Sequence, residues 1–241
     1  MWLDLGIVFL AVFVGLQADT WNEERVARST AKVYYARLIG DLRVEETTRL
    51  ARIDYYQTTL ANGNAALQAL GEPERKLGEQ FLINVYQVTQ IWNYTPQRNT
   101  YDELLSIGIA NAVPDVTVRI RLANYYVGLE NSRLIQQDRM PIRDNLRRYM
   151  PHIAQNSVRR NCGDIFTSGD DGVVIITLPE ECELDLDPTD IHESVKKTLY
   201  YEDLEIDLTQ ALADLENKLL SLSNYIAPTE EVIAQLELLA D

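Results

Sequence analysis

Residues 208–226 read LTQALADLENKLLSLSNYI, and the spacing of their apolar side chains decides the fold class. Leu208, Leu212, Leu215, Leu219, Leu222 and Ile226 step by four, three, four, three and four, which puts all of them on one stripe of an α-helix. A stripe of that length is a coiled-coil seam, and it predicts a partner helix of similar reach. The chain offers one upstream. A second pattern at heptad spacing runs through Tyr35, Ile39 and Leu42, then Ile53, Tyr56 and Leu60, then Leu67 and Leu70, with Glu46 and Arg49 as polar members. No helix breaker separates Gly15 from Gly40, the next strong one is Asn62-Gly63-Asn64, and Gly71 ends the pattern. The expectation is one long helix with the C-terminal seam lying against it.

Further toward the N-terminus, Met1 to Trp21 reads MWLDLGIVFLAVFVGLQADTW and is apolar or glycine throughout Leu5 to Leu16. At the rise of a helix, Trp2 and Trp21 stand about 28 Å apart, close to the hydrocarbon thickness of a bilayer. They read as interface anchors at its two faces. A cleaved signal peptide wants a basic start, and Met1 to Asp4 has no Lys or Arg. Asp4, Val8, Ala11, Gly15 and Ala18 fall on one face of this helix, and Ala11 to Gly15 is a small-xxx-small step. Small residues let helix backbones approach closely in lipid, so this face is a candidate docking surface for other transmembrane subunits.

Between the two long helices the punctuation is frequent. Pro73 opens a helix carrying Leu77, Phe81, Val85, Val88 and Trp92, which Thr95-Pro96 stops. Thr100 and Glu103 make a capping box for a short helix over Tyr101 to Ile107. Pro114-Asp115 caps an Arg-bearing helix with Val118, Leu122, Tyr125 and Leu129 on its apolar side, and Pro141 breaks it. A last turn or two reach Tyr149, and the helical pattern fades after Pro151. Asp164 to Thr167 and Val173 to Leu178 flank an Asp-Gly turn and read as a β-hairpin. Asp187-Pro188-Thr189 starts the next helix, and Pro228-Thr229 ends the long one and caps a final short helix with Val232, Leu236 and Leu239. The predicted fold is mainly α, an N-terminal transmembrane helix continuing into a long helix of an antiparallel bundle, with one small β-hairpin inserted. Its segments are an anchor over 1–21, the first part of the bundle over 22–160, the hairpin over 161–183 and acidic C-terminal helices over 184–241.

Lys and Arg total 22 against 37 Asp and Glu, a net of −15, which argues against nucleic acid as a partner. Pro179 to Asp241 holds 17 acids and 3 bases, whereas Asp115 to Arg160 holds nine Arg and four acids. A basic middle and an acidic end face each other, or the basic part faces anionic lipid or an anionic partner. Cys162 and Cys182 bracket the hairpin, as two independent thiols or as a disulfide. A bond there would close a loop of about 20 residues, contribute roughly 3 kcal/mol, and imply an oxidising compartment.

Sites for chemistry are sparse. His192-Glu193-Ser194-Val195-Lys196 lacks the second histidine of a zinc-protease helix, and His152 follows Pro151 alone. Glu180, Glu181, Glu183, Asp185, Asp187 and Asp190 read as a solvated loop, or as a Ca²⁺ site that departs from the spaced EF-hand order. The tyrosine pairs 34–35, 55–56, 125–126 and 200–201 read as core positions in which one ring buries and the other rims. No phosphate-binding glycine loop or nucleophile elbow occurs, so no catalytic residue, metal or cofactor is assigned.

Gly15-Leu16-Gln17 followed by Trp21-Asn22-Glu23-Glu24-Arg25 resembles the membrane-exit signature of an uncharacterised bacterial family of single-pass membrane proteins, a domain-of-unknown-function family. Thr100-Tyr101-Asp102-Glu103-Leu104-Leu105 and Ala123-Asn124-Tyr125-Tyr126 look like its later motifs. The resemblance implies an N-terminal anchor and a helical domain outside the cytoplasm, with no established activity. This chain lacks the basic stretch that often precedes the anchor there. Arg25, Arg28, Lys32 and Arg37 just after the anchor would place the domain in the cytoplasm by the positive-inside rule. The cysteine pair and the resemblance weigh the other way, and the expectation is a periplasmic domain on a bacterial inner membrane. The functional expectation is a non-enzymatic scaffold or accessory subunit of a larger membrane complex, respiratory or photosynthetic for example. The alternative is an extracytoplasmic sensor or ligand-binding bundle, which requires a solvent-connected cleft with convergent polar groups.

Overall fold

The structure, a computed structural model, describes residues 2–169 and 172–240, without the side chains of residues 2–20, 24, 110 and 111. The chain is mainly helical with one antiparallel two-stranded sheet. In order the elements are α1 (Trp2–Leu70), α2 (Glu79–Gln87), α3 (Asn99–Ile107), α4 (Ile109–Ala112), α5 (Val116–Gln137), α6 (Pro141–Tyr149), α7 (His152–Asn161), β1 (Ile165–Ser168), β2 (Val174–Thr177), α8 (Pro188–Thr198), α9 (Leu204–Ser223) and α10 (Ile226–Ala240). The expected anchor face of Asp4, Val8, Ala11, Gly15 and Ala18, with Trp2, lies outside the residues whose side chains are described. Among the residues whose side chains are described no helix is long and apolar enough to cross a membrane, and residues 2–20 are not among them. Two compact units emerge, one of Met1–Arg43, Gln97–Gly128 and Ala227–Asp241, the other of Val44–Pro96 and Leu129–Ile226.

In the first unit Ala31, Tyr35, Leu38 and Leu42 of α1 are buried, with Leu104 of α3, Val118, Leu122 and Tyr126 of α5, and Val232 and Leu236 of α10. Tyr101 and Tyr126 stack at 4.1 Å, and the Tyr125 hydroxyl meets Thr229 Oγ1 at 2.9 Å. Asp115 does cap α5, accepting the Thr117 amide at 2.7 Å. The Thr100/Glu103 capping box does not form. Glu103 is taken by Tyr34 and Arg37 of α1, and Asp41 accepts the Thr100 amide at 2.9 Å in its place. A carboxylate from another helix therefore caps α3.

In the second unit the buried stripe of α1 is Glu45, Arg49, Arg52, Tyr56, Thr59, Gly63 and Ala66, a strict alternation of four and three. The expected register is off by one at several places. Ile53, Leu60, Leu67 and Leu70 are half-buried, and Glu45 and not Glu46 is the buried acid. Asn62-Gly63-Asn64 does not break the helix, because the Asn62 and Asn64 amides bond back to Thr58 O and Leu60 O. Gly63 is where the helix is approached most closely: a Cβ there would stand 2.7 Å from both Leu212 and Val88. On α9 the buried stripe is Leu204, Leu208, Ala211, Leu215, Lys218 and Leu222, so Ala211 and Lys218 occupy places expected for Leu212 and Leu219.

Four further expectations are corrected. The helix from Pro73 is a short 3₁₀ turn, Glu74–Lys76, and then α2, which ends at Gln87 and leaves Trp92 outside it. Helix does not fade after Pro151: α7 follows at once, burying Ala154 and Val158, and it was hidden because Gln155 and Ser157 complete its inner face. Pro228 does not cap α10 but sits in its first turn, where its missing N–H costs nothing. In the pairs Tyr55–Tyr56 and Tyr125–Tyr126 both rings bury, edge to face. The hairpin forms as expected, Phe166 opposite Ile176 with Gly172 at φ 76° in the turn. Cys162 and Cys182 are bonded across its base, their Cα atoms 5.4 Å apart.

Candidate functional site

Three arginines converge on a cleft of about 440 Å³ in the second unit. Helix α6 supplies Arg143 and Arg147 at i and i+4, one face apart from the buried Ile142 and Leu146 that seat the helix. Arg159 comes from the last turn of α7. Buried Tyr86 of α2 and Gln90 beyond it line the cleft from behind, and Asp164 and the exposed Phe166 line it from the hairpin. Arg143 donates to Thr89 O at 2.5 Å, and Arg159 Nε to the Tyr86 hydroxyl at 3.3 Å. The Arg147 guanidinium carbon is 6.0 Å from the Tyr86 ring centre, and its Nε is buried with no hydrogen-bond partner among the described residues.

The charge among the lining residues is mainly positive. Burial first, and the neighbouring Arg147 charge second, hold the Arg143 guanidinium below its usual value. Asp164, the one acid among the described lining residues, already accepts a bond from the Tyr55 hydroxyl at 2.9 Å. Burial and then Asp164 push that tyrosine well above its ordinary value. Like charges at i and i+4 are mildly unfavourable on a bare helix, and three guanidinium forks matched to one carboxylate leave donors for an added anion. Among the described lining residues there is no histidine, serine or thiol.

A second polar feature of this unit is closed. Glu45 Oε1 accepts from Arg49 at 3.1 Å and from the Tyr94 hydroxyl at 2.6 Å, and Arg49 donates to Tyr225 O at 2.5 Å. Arg52 lies between the Trp92 and Tyr94 rings at 4.7 and 4.6 Å, with Nε and Nη1 buried and without a partner among the described residues. Lys218, also buried, donates to Ile135 O, Gln136 O and Asp138 O at 2.8, 2.9 and 3.1 Å. It thereby closes the C-terminal end of α5, where a cation also suits the helix dipole.

The residues singled out from the sequence are scattered. Trp21 is exposed, with Arg25 over its ring at 5.8 Å. His152 and His192 are exposed, and among the described residues no group of three His, Cys, Asp or Glu could hold a metal. Asp187 caps α8 through the Thr189 and Asp190 amides. The arginine cleft was legible only as the basic stretch 115–160, because Arg159 reaches Arg143 and Arg147 through a helix the pattern did not show. No family model, no curated protein and no solved structure matches the chain.

Proposed function

We propose that this chain is a non-enzymatic, membrane-anchored helical bundle that holds a small anionic ligand in the cleft of Arg143, Arg147 and Arg159. The observation that carries the reading is Arg147, whose Nε is buried unpartnered in the wall of an open cleft that two further guanidinium groups share. A solvent-connected cleft with convergent polar groups is what a ligand-binding or sensor bundle requires. The anchor is Met1 to Trp21. An extracytoplasmic, periplasmic position of the domain is supported by the Cys162–Cys182 bond, since structural disulfides persist outside the reducing cytoplasm.

Thermal melts of the full chain in mild detergent, with inorganic phosphate and with citrate, test the reading. A ligand at a hundred times its Kd stabilises by about 2.7 kcal/mol, so the melting temperature rises for the parent protein and not for Arg147→Ala. Equal shifts in both would contradict it. A scaffold or accessory-subunit role among other transmembrane subunits is the second reading, and it has its own support. Trp21, Val26 and Val33 are 63%, 54% and 58% exposed on α1, and Val26 and Val33 share one face. Stoichiometric co-purification of partners from mild detergent favours that role; recovery as a lone monomer counts against it.

A further inference from the structure

A second cleft of the same unit has the opposite sign. It measures about 560 Å³ and is lined by Glu79, Glu180, Glu181 and Glu183, with Gln87 and the Cys182 end of the disulfide in its wall. No Lys, Arg or His is among its described lining residues. The polar neutral groups have turned donors away from the space: Thr58 Oγ1 donates to Asp54 O, Asn62 Nδ2 to Thr58 O, Gln80 Nε2 to Asn84 Oδ1, and Gln87 Nε2 to Cys162 O. These four donors are therefore spent within the protein. Gln87 adds the independent observation. It is 2% exposed, and its Oε1 is buried with no hydrogen-bond partner among the described residues. A buried amide oxygen without a donor is costly, and no described residue of the cleft wall supplies one.

A bare metal ion does not fit this arrangement, since no group of three carboxylates among the described residues stands close enough to hold one. An extended organic cation does. Its N–H groups would meet carboxylates spread along the rim, and one of them would reach the Gln87 oxygen at the wall. We propose that this cleft binds a polyamine, a chain bearing two or more primary ammonium groups, with Gln87 and Glu79 at its inner end and Glu180, Glu181 and Glu183 along its mouth. Glu79 holds the site in shape as well, because its Oε1 accepts the Leu184 amide and so fixes the loop that follows Cys182. The proposal is independent of the arginine cleft.

Calorimetric titration of the full chain in mild detergent with spermidine tests it, with magnesium chloride as the competing simple cation. One saturable spermidine site per chain is expected, and millimolar magnesium leaves its affinity within threefold. Glu181→Gln combined with Glu183→Gln, both exposed and with no side-chain bond among the described residues, weakens binding at least tenfold. Gln87→Met weakens it as much, and Glu230→Gln, an exposed acid elsewhere, leaves it unchanged. Arg147→Ala also leaves it unchanged. Non-saturating heats, equal weakening by Glu230→Gln, or full displacement by magnesium would each overturn the proposal. If Gln87→Met unfolds the chain, the exposed double variant alone decides.

Discussion

Glu45 and Arg52 are about two helical turns apart on α1, and they sit in the same buried stripe with opposite consequences. Glu45 has two donors on one oxygen, whereas Arg52 has two aromatic faces and unpartnered nitrogens. Removing one member of a buried pair leaves an uncompensated charge and costs about 3–5 kcal/mol, whereas Arg52 is a second cation beside a carboxylate that Arg49 already pairs. Glu45→Leu should therefore lower the urea midpoint strongly, and Arg52→Met should leave stability within about 1 kcal/mol after losing its cation–π contacts. Urea unfolding followed by far-ultraviolet circular dichroism checks both. Buried tyrosines set the alkaline limit. Burial pushes Tyr56 up to about 12, against an unfolded value near 10, and raises Tyr55 and Tyr94 as well. A phenol raised in the folded state contributes stability that is fully present below pH 10 and lost as pH climbs through the folded value. The midpoint should fall from about pH 10 toward pH 12, less steeply in Tyr94→Phe, while buried Lys218, held down by desolvation, works weakly in the other direction.

At the scale of elements, helix starts marked by Asp-Pro or Pro-Asp and the Asp-Gly hairpin were legible, because each is set by a local bond: Asp115 and Asp187 onto following amides, and Gly172 at positive φ. The buried registers of α1 and α9 were not, because they depend on which residues face one another. Counting only apolar residues moves the α9 stripe onto Leu212 and Leu219, whereas the structure buries Lys218, whose ammonium finds three carbonyls, and Ala211. Gly63 is the same lesson on α1. It reads as a breaker in isolation and is instead the point where Leu212 and Val88 close on the helix. Gly63→Ala gains up to about 1 kcal/mol of helix propensity but forces apposed side-chain ends apart, which costs about 1–3 kcal/mol. A net loss of stability of about 1 kcal/mol is expected in urea titration, and Gly40→Ala, with nothing near its Cβ, should instead stabilise.

Across the whole molecule, the charge asymmetry of the sequence resolves into named places. The basic stretch 115–160 contributes the three arginines of one cleft, and the acidic C-terminal third contributes three glutamates to another. Composition could show the two signs but not the clefts, since Arg143, Arg147 and Arg159 meet only once α6 and α7 turn back at Pro151. Fold class was readable from periodicity; the site was readable only from tertiary placement. The measurement that bears most directly on the proposed function is calorimetric titration of the full chain with citrate at low ionic strength. One saturable site per chain, weakened at least tenfold in Arg147→Ala and unchanged in Arg160→Ala on the exposed side of α7, is the predicted result. Heats that do not saturate, or that are equal in the two variants, would contradict it.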